Sequence, residues 1–453
     1  MTKDPPKHAD LVQQALTSVT VPPAWKAGGA AGPTANDWLA SFGDAELTAL
    51  VAEAIAHNPD LRIGAVRVEE AAQYVELAKA ALRPSINLLG TGGAKMGGGD
   101  VSSALQGVSL GASWELDLWG RLRYGRNAYQ ASYASAQADF EYARQSLAAM
   151  TAKSWFTASE TWQQVGISEQ AVKAAQELVS IAEQRQRVGA GTDQELALAR
   201  ANLGNVQDAA EQVKLGHSQA LRALELLVGR YPAAELAVRH DFAKLPGPVP
   251  AGLPLELLER RPDLVAAERR VAAAFNRVGE AKAARLPRII LNANVAAIQS
   301  DILQLKEDYT NPTAGAGARL IAPIYQGGAL QTQVSIRTLE QKRAVAEYAQ
   351  LALRALGDVE NALASSQTLG ERAQLLQHVV NDNQHALALA QDNYRVGKTD
   401  LRPVDQQRLA LYSAQLALLR VQSEQLAQRA NLHLALGGAF EPRPAATASV
   451  ATN

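Results

Sequence analysis

The chain has 453 residues, 47% of them hydrophobic, and a formal net charge of -1 at pH 7. It can therefore bury a sizeable core, and it offers no global basic surface for nucleic acid. Cysteine is absent, which removes disulfides, thiolate metal sites and cysteine nucleophiles together. No run of about 18 apolar residues occurs, so no membrane-spanning helix is predicted. Met1 to Asp10 carries Lys3, Asp4, Lys7 and His8 and lacks the apolar stretch of a secretory leader. Composition alone favours a cytosolic protein, the other reading being a mature form whose leader has been removed.

Residues 1–43 read as an N-terminal extended segment. A helix rich in Ala, Leu, Glu and Arg is predicted over 44–82, ending at Arg83-Pro84 because proline cannot continue it. Two strands within 84–119 follow, around a Gly-rich turn from Gly90 to Asp100. The second alternates, with Val108, Leu110, Ala112, Trp114, Leu116 and Leu118 on one face and Ser109, Gly111, Ser113, Glu115 and Asp117 on the other. A long helix spans 121–187, Gly189 and Gly191 break it, and Thr192 or Asp193 can cap the next, 193–228, which ends near Gly229. In that helix Val206, Val213, Ala220 and Leu227 repeat every seven residues, with Ala210 and Leu224 at complementary positions. That is a coiled-coil seam, and His217 falls in line with it. After a connector at 230–260 the order returns: a helix from 261, strands within 287–325, helices at 329–395 and 400–436, and a tail at 438–453. Ala314, Ala316, Ala318, Leu320, Ala322 and Ile324 again alternate with the residues between them.

The return is a duplication. Asn58-Pro59-Asp60-Leu61 recurs as Arg261-Pro262-Asp263-Leu264, and Pro84 matches Pro287 at the same offset of 203. The offset then becomes 208, matching Gly120 to Gly328, Val188-Gly189 to Val396-Gly397 and Gly229 to Gly437. The chain thus divides into repeat 1, 44–229, and repeat 2, 261–437. Each long helix spans roughly 100 Å and each flanking helix roughly 55–60 Å, so two short helices stacked end to end match one long one. A helical rod is predicted, with a strand bundle at one end and a belt where 1–43, 230–260 and the tail meet. Four strands per chain cannot close a barrel, and an open edge in lipid leaves backbone groups unsatisfied. A homotrimer supplies twelve, and strand count alone also admits a dimer with eight.

Trp38-Leu39-Ala40-Ser41-Phe42-Gly43-Asp44-Ala45-Glu46-Leu47, Asn58-Pro59-Asp60-Leu61 and Trp114-Glu115-Leu116-Asp117-Leu118-Trp119-Gly120-Arg121-Leu122 resemble the NodT/OprM branch of the TolC family. Arg260-Arg261-Pro262-Asp263-Leu264 and Ala322-Pro323-Ile324-Tyr325-Gln326-Gly327-Gly328 are similar to its second-half signatures. The resemblance covers essentially Trp38 to Phe440. It implies a mixed α and β membrane fold, a trimeric 12-stranded β-barrel continuous with a long α-helical coiled-coil barrel. The implied role is the outer-membrane exit duct of a tripartite efflux system, reaching into the periplasm, with a periplasmic adaptor protein, an inner-membrane pump and outer-membrane lipid as partners. The adaptor-binding tips would be Arg187, Val188, Gly189, Ala190, Gly191 and Thr192 in the first half and Arg395, Val396, Gly397, Lys398 and Thr399 in the second. Acidic rings at the closed end would fall to Asp405 and Asp400, with Asp193 and Glu195 as first-half candidates. Trp114, Trp119 and Tyr325 are the membrane-interface aromatics. Three features depart from the branch: a mature chain there usually begins with a lipid-bearing cysteine, aromatics at 5% leave the usual girdle thin, and Pro403 suggests a kinked or looser second tip.

No catalytic set, metal or cofactor is expected. Gly397-Lys398-Thr399 looks like the end of a phosphate loop, but Asp392 stands where the earlier glycine is needed and the segment joins two helices. The Gly90–Gly99 glycines join strands, which leaves no helix N-terminus for a phosphate. His378 and His385 lie two turns apart without a completing carboxylate. Two rival readings stay open, an outlet for type I protein secretion and a soluble coiled-coil scaffold.

Overall fold

The computed structural model describes residues 2–441 apart from 18, 31, 33–35, 93, 98–99, 104–105, 239–240 and 300–312. The chain forms two compact units. The first comprises Met1–Thr20, Ala65–Asp139 and Asp263–Leu351; the second comprises Val21–Gly64, Phe140–Pro262 and Ala352–Asn453.

Helices α1 (His8–Ala15), α2 (Ala45–His57) and α3 (Pro59–Ala80) open the chain. Strands β1 (Ser85–Thr91), β2 (Ala94–Gly97), β3 (Asp100–Ser103) and β4 (Gln106–Leu116) follow, then helices α4 (Arg121–Arg187) and α5 (Asp193–Val228). The second repeat contributes α6 (Pro254–Arg260), α7 (Pro262–Ala283), β5 (Arg288–Gln299), β6 (Thr313–Ile321), α8 (Ala329–Arg395) and α9 (Arg402–Ala435). Three sequence expectations are corrected. The single helix over 44–82 is two, because Asn58 turns extended before Pro59 and its Oδ1 accepts the N–H groups of Asp60 (2.9 Å) and Leu61 (3.2 Å). The connector contains α6, the counterpart of α2, so helical structure resumes before 261. The Gly-rich stretch is a ladder, β2 on β3, rather than a plain turn.

In the first unit the sheet runs β1-β4-β5-β6, antiparallel throughout. The register decides its faces, since residues directly opposite share one. Leu88 meets Leu110, Leu110 meets Val295, and Val295 meets Ala314; nearer the helices Trp114 meets Leu291 and Leu291 meets Ala318. That face is apolar from Val108 to Leu116 and along their partners, and the Gln106–Gln299 rung at its far end is polar. The other carries Asn87, Ser109, Ser113, Asn292, Asn294 and Thr313. Strands β1 and β6 form the two edges of the sheet, so their outer backbone groups have no ladder partner in the four-stranded sheet. Below the sheet, Gly279 lets α7 touch α4: a Cβ there would stand 2.5 Å from the Tyr124 ring.

The signature Glu115–Leu122 has a structural cause. The Glu115 carboxylate accepts three bonds from the Arg121 guanidinium, at 3.1, 3.0 and 2.9 Å. Asp117 accepts the first N–H groups of α4, from Leu122 and Arg123, each at 3.0 Å, and so caps a 67-residue helix. Gly120 between them has φ +78°, which favours glycine.

The second unit packs Trp38, Leu39, Phe42, Leu47, Val51, Phe156, Leu224, Val228 and Ala430 into one core. Asp44 caps α2 by accepting Leu47 N–H (2.9 Å) with one oxygen, while the other takes the Trp155 indole N–H (2.9 Å). The duplication is visible bond by bond. Asn58 Nδ2 donates to the Leu227 carbonyl at 2.9 Å, and Arg261 Nη1 donates to the Ala435 carbonyl at 3.4 Å. These residues correspond at the two sequence offsets. Gly229 and Gly437 close the helices concerned with φ +85° and +67°, and a Cβ on Gly229 would lie 2.8 Å from the His57 carbonyl oxygen. On α5, Ala210 and Leu224 are buried and Val206, Val213, Ala220 and Leu227 half-buried, and His217 meets the Thr161 hydroxyl at 3.0 Å.

Trp38 stacks on His433, centroids 5.7 Å apart. Burial, with Arg429 beside it, lowers the His433 pKa to about 3. The native state therefore refuses a proton that the unfolded chain accepts below about pH 6.5, and stability falls as pH drops from there towards 3. Between pH 6.5 and 5 the loss should approach about 2 kcal/mol, since each unit is worth about 1.4 kcal/mol. Urea midpoints at the two pH values check it, and His433→Phe should flatten that slope.

Candidate channel gate and docking tips

The second unit holds the turns of two helical hairpins, α4–α5 and α8–α9, and these turns are built alike. At the first, Gly189 (φ +72°) donates its N–H to the Gln186 carbonyl and Ala190 to that of Arg185, at 3.0 and 2.8 Å. At the second, Gly397 (φ +75°) donates to Tyr394 and Lys398 to Asn393, at 3.0 and 2.9 Å. These bonds satisfy the last carbonyls of each long helix. The tightness leaves one valine standing out at each turn, Val188 at 77% and Val396 at 66% exposure. Arg187, Arg395, Lys398 and Thr399 are exposed around them.

The helices restart by different means. Thr192 caps α5, its hydroxyl accepting Glu195 N–H (3.2 Å) while the Glu195 carboxylate accepts Thr192 N–H (3.3 Å). Asp193 accepts the Gln186 amide. Both first-half acidic candidates are thus engaged within their own turn. Pro403 stands in the first turn of α9, where no intrahelical N–H is required. It starts the helix instead of kinking it, which corrects the looser tip expected from sequence. Asp400 precedes that start, exposed and paired with Arg402 at 3.1 Å.

Asp405 differs from the rest. It is 8% exposed and turned into its own chain, where Oδ1 accepts the Asn202 amide of α5 at 3.2 Å. Its other oxygen is buried without a partner among the described residues. Burial raises the Asp405 carboxyl above its ordinary value, against the pull of Arg408 and the Asn202 bond. Arg408, one turn along, donates to the Ala174 carbonyl of α4. Arg185 of α4 lies over the Tyr394 ring of α8, 4.7 Å from its centroid. Leu178, Leu196, Tyr394, Leu401 and Val404 pack beside them. Four helices are therefore joined by three polar contacts, each linking one hairpin to the other. Of the residues in these contacts only Asp405 stands out in the sequence; Arg408 is its i+3 neighbour, whereas Asn202, Arg185 and Tyr394 lie on other helices and carry no local signal.

The aromatic candidates sit in the first unit. Trp114, on the apolar face, donates its indole N–H to the Leu82 carbonyl (2.9 Å), and Trp119 donates to that of Pro287 (2.7 Å). Tyr325 is exposed just beyond β6.

The family model for outer membrane efflux proteins matches residues 50–230 and 253–438, both repeats. The chain belongs to the outer membrane efflux protein family. Pyoverdine export outer membrane protein OpmQ of Pseudomonas putida is 30% identical over 96% of this chain and 98% of its own. Cation efflux system protein CusC of Escherichia coli is 26% identical over 88% of each. A crystal structure of CusC superposes with a TM-score of 0.82 over 93% of this chain and 97% of the other, at 25% identity. The open-state MtrE channel of Neisseria gonorrhoeae shares the fold, with a TM-score of 0.80 over 97% and 98% at 24% identity. The family consists of channel proteins, and this member is an outer-membrane efflux duct that extends into the periplasm. Its fold is the trimeric one, a twelve-stranded β-barrel with a helical barrel, so the four-stranded sheet is one chain's third. The protein is the outer-membrane component of a tripartite system.

Proposed function

We propose that this duct opens at its hairpin tips, that the contacts around Asp405 hold it shut, and that a periplasmic adaptor docks on the two turns. The observation that carries the reading is the pairing of Asp405 with Asn202 together with the Arg408 and Arg185 contacts, all between hairpins α4–α5 and α8–α9. Splaying the hairpins must break them together. Asp405 in this reading is a latch inside each chain rather than a carboxylate facing its symmetry mates; Asp400, Asp193 and Glu195 support the tips locally. The chain conducts passively, carries out no chemistry of its own, and receives small-molecule cargo from the inner-membrane pump. Trp114, Trp119 and Tyr325 fit the lipid–water interface, their rings apolar and their polar atoms directed to backbone or solvent.

Exposed valines on rigid turns suit adaptor docking, because an apolar side chain fixed by backbone hydrogen bonds loses little entropy on binding. Val188→Asp with Val396→Asp should leave the particle mass unchanged and weaken adaptor association by about 2 kcal/mol or more. In cells the same pair should abolish efflux-dependent resistance. An adaptor pulled down equally by the double variant would remove the tips from the docking surface.

A further inference from the structure

The register assigns one sheet face to lipid, since its rungs are apolar from Val108–Ala297 down to Leu116–Ile289 and Ile289–Leu320. The opposite face lines the barrel lumen. Near the helix-linked ends of the strands this lumen face changes character. Arg319 of β6 stands opposite Ile290 of β5, Glu115 of β4 faces the same Ile290 from the other side, and Arg288 begins β5 opposite Ile321. Three charged residues thus sit on two neighbouring rungs. Glu115, the one carboxylate in the four-stranded sheet among the described residues, is already neutralised by the three bonds from Arg121. Arg288 and Arg319 are exposed and have no hydrogen-bond or ion-pair partner among the described residues.

We propose that Arg288 and Arg319 form a cationic belt at the periplasmic mouth of the barrel, which favours anionic solutes such as carboxylates, phosphates and sulfonates. Resting on the exit-duct reading, the inference adds a charge preference to it. Three chains bring six guanidiniums to one circumference. Charges of one sign along a narrow aqueous wall focus the field and concentrate counter-ions, and rings of Arg or Lys are the means by which pores prefer anions. Guanidinium stays protonated at any physiological pH, so the belt cannot be titrated away. Its neighbours on the same face, Asn292, Asn294, Ser113 and Thr313, hydrate a passing solute without choosing its sign.

The test compares the wild-type trimer with R288Q/R319Q, whose long polar side chains keep the lumen filled and hydrated. Reversal potentials across planar bilayers in a potassium chloride gradient should show chloride permeating better than potassium in the wild type and near parity in the variant. Binding of pyrenetetrasulfonate to the detergent-solubilised trimer, followed by fluorescence anisotropy, should weaken about tenfold or more in the variant. A conducting wild-type trimer that prefers potassium, or a variant with unaltered preference and dye affinity, overturns the belt. A trimer that binds the dye and loses it on substitution yet passes no current even with Asp405→Ala added sustains the belt and sinks the gated-duct reading instead. If the variant does not assemble, the single substitutions R288Q and R319Q are measured, and half the effect in each is expected.

Discussion

Replacing Trp38 by alanine should cost the folded chain about 3–5 kcal/mol, the range for truncating a buried aromatic. Trp38 is 2% exposed, meets Phe42 edge-on at 6.1 Å and lies flat on His433 at 5.7 Å. Removing it opens a cavity bounded by the N-terminal segment, α4 and α9 at once, so no single element can move in to fill it. It also uncovers an imidazole whose Nδ1 has no partner among the described residues, which then takes up a proton nearer its ordinary pH. The variant should therefore show a lowered urea midpoint and a weaker acid sensitivity between pH 6.5 and 5. A midpoint within error of wild type would mean that the signature Trp38–Phe42 has no part in holding the second unit together.

Asp405→Ala should open the tips. A hydrogen bond to a charged group contributes about 1.5–3 kcal/mol, so the open fraction in planar bilayers should rise roughly ten- to hundredfold. The substitution also leaves Arg408 in a half-buried position without its nearby carboxylate, which adds to the effect. The pH dependence has a definite sign. Because the native Asp405 pKa lies above the ordinary carboxyl value of 3.8, the packed tip binds a proton more readily than a splayed one. The latch is strongest below that ordinary value and weakens as pH rises through the raised native one, so acidification should lower conductance. Asp405→Asn keeps an acceptor for Asn202 and should remove this dependence. Unchanged conductance in Asp405→Ala, from an intact trimer, would dismiss the latch.

Much of this architecture was legible because it is written in periodicity. The 67-residue helices contain no proline and end at glycines that the turn geometry requires, and the alternation along β4 foretold which face would be apolar. Two matching intervals between glycines exposed the duplication, and the structure returns it as equivalent bonds from Asn58 and Arg261. What escaped was what depends on contacts distant in sequence. Asn58-Pro59 looked like a point inside one helix, because only the side-chain capping of Asp60 and Leu61 shows that the chain turns there. Pro403 looked like a kink, because whether proline breaks or begins a helix depends on where the first turn falls. The glycines from Gly90 onward read as a loop, since a β ladder among glycines gives no apolar pattern. Asp405 was singled out by its motif, but its direction, inward against Asn202, is set by the packing of four helices that no local pattern encodes. The belt of Arg288 and Arg319 likewise needs the pairing of β5 with β6 before two separate arginines become one feature.

Strands β1 and β6 are open edges that in lipid only neighbouring chains can complete. The mass of the detergent-solubilised particle, measured by native mass spectrometry with detergent stripped in the gas phase, tests this most directly. Three chains of 48.2 kDa should fly together at about three times that mass. A particle carrying a single chain would contradict the barrel and everything argued from it.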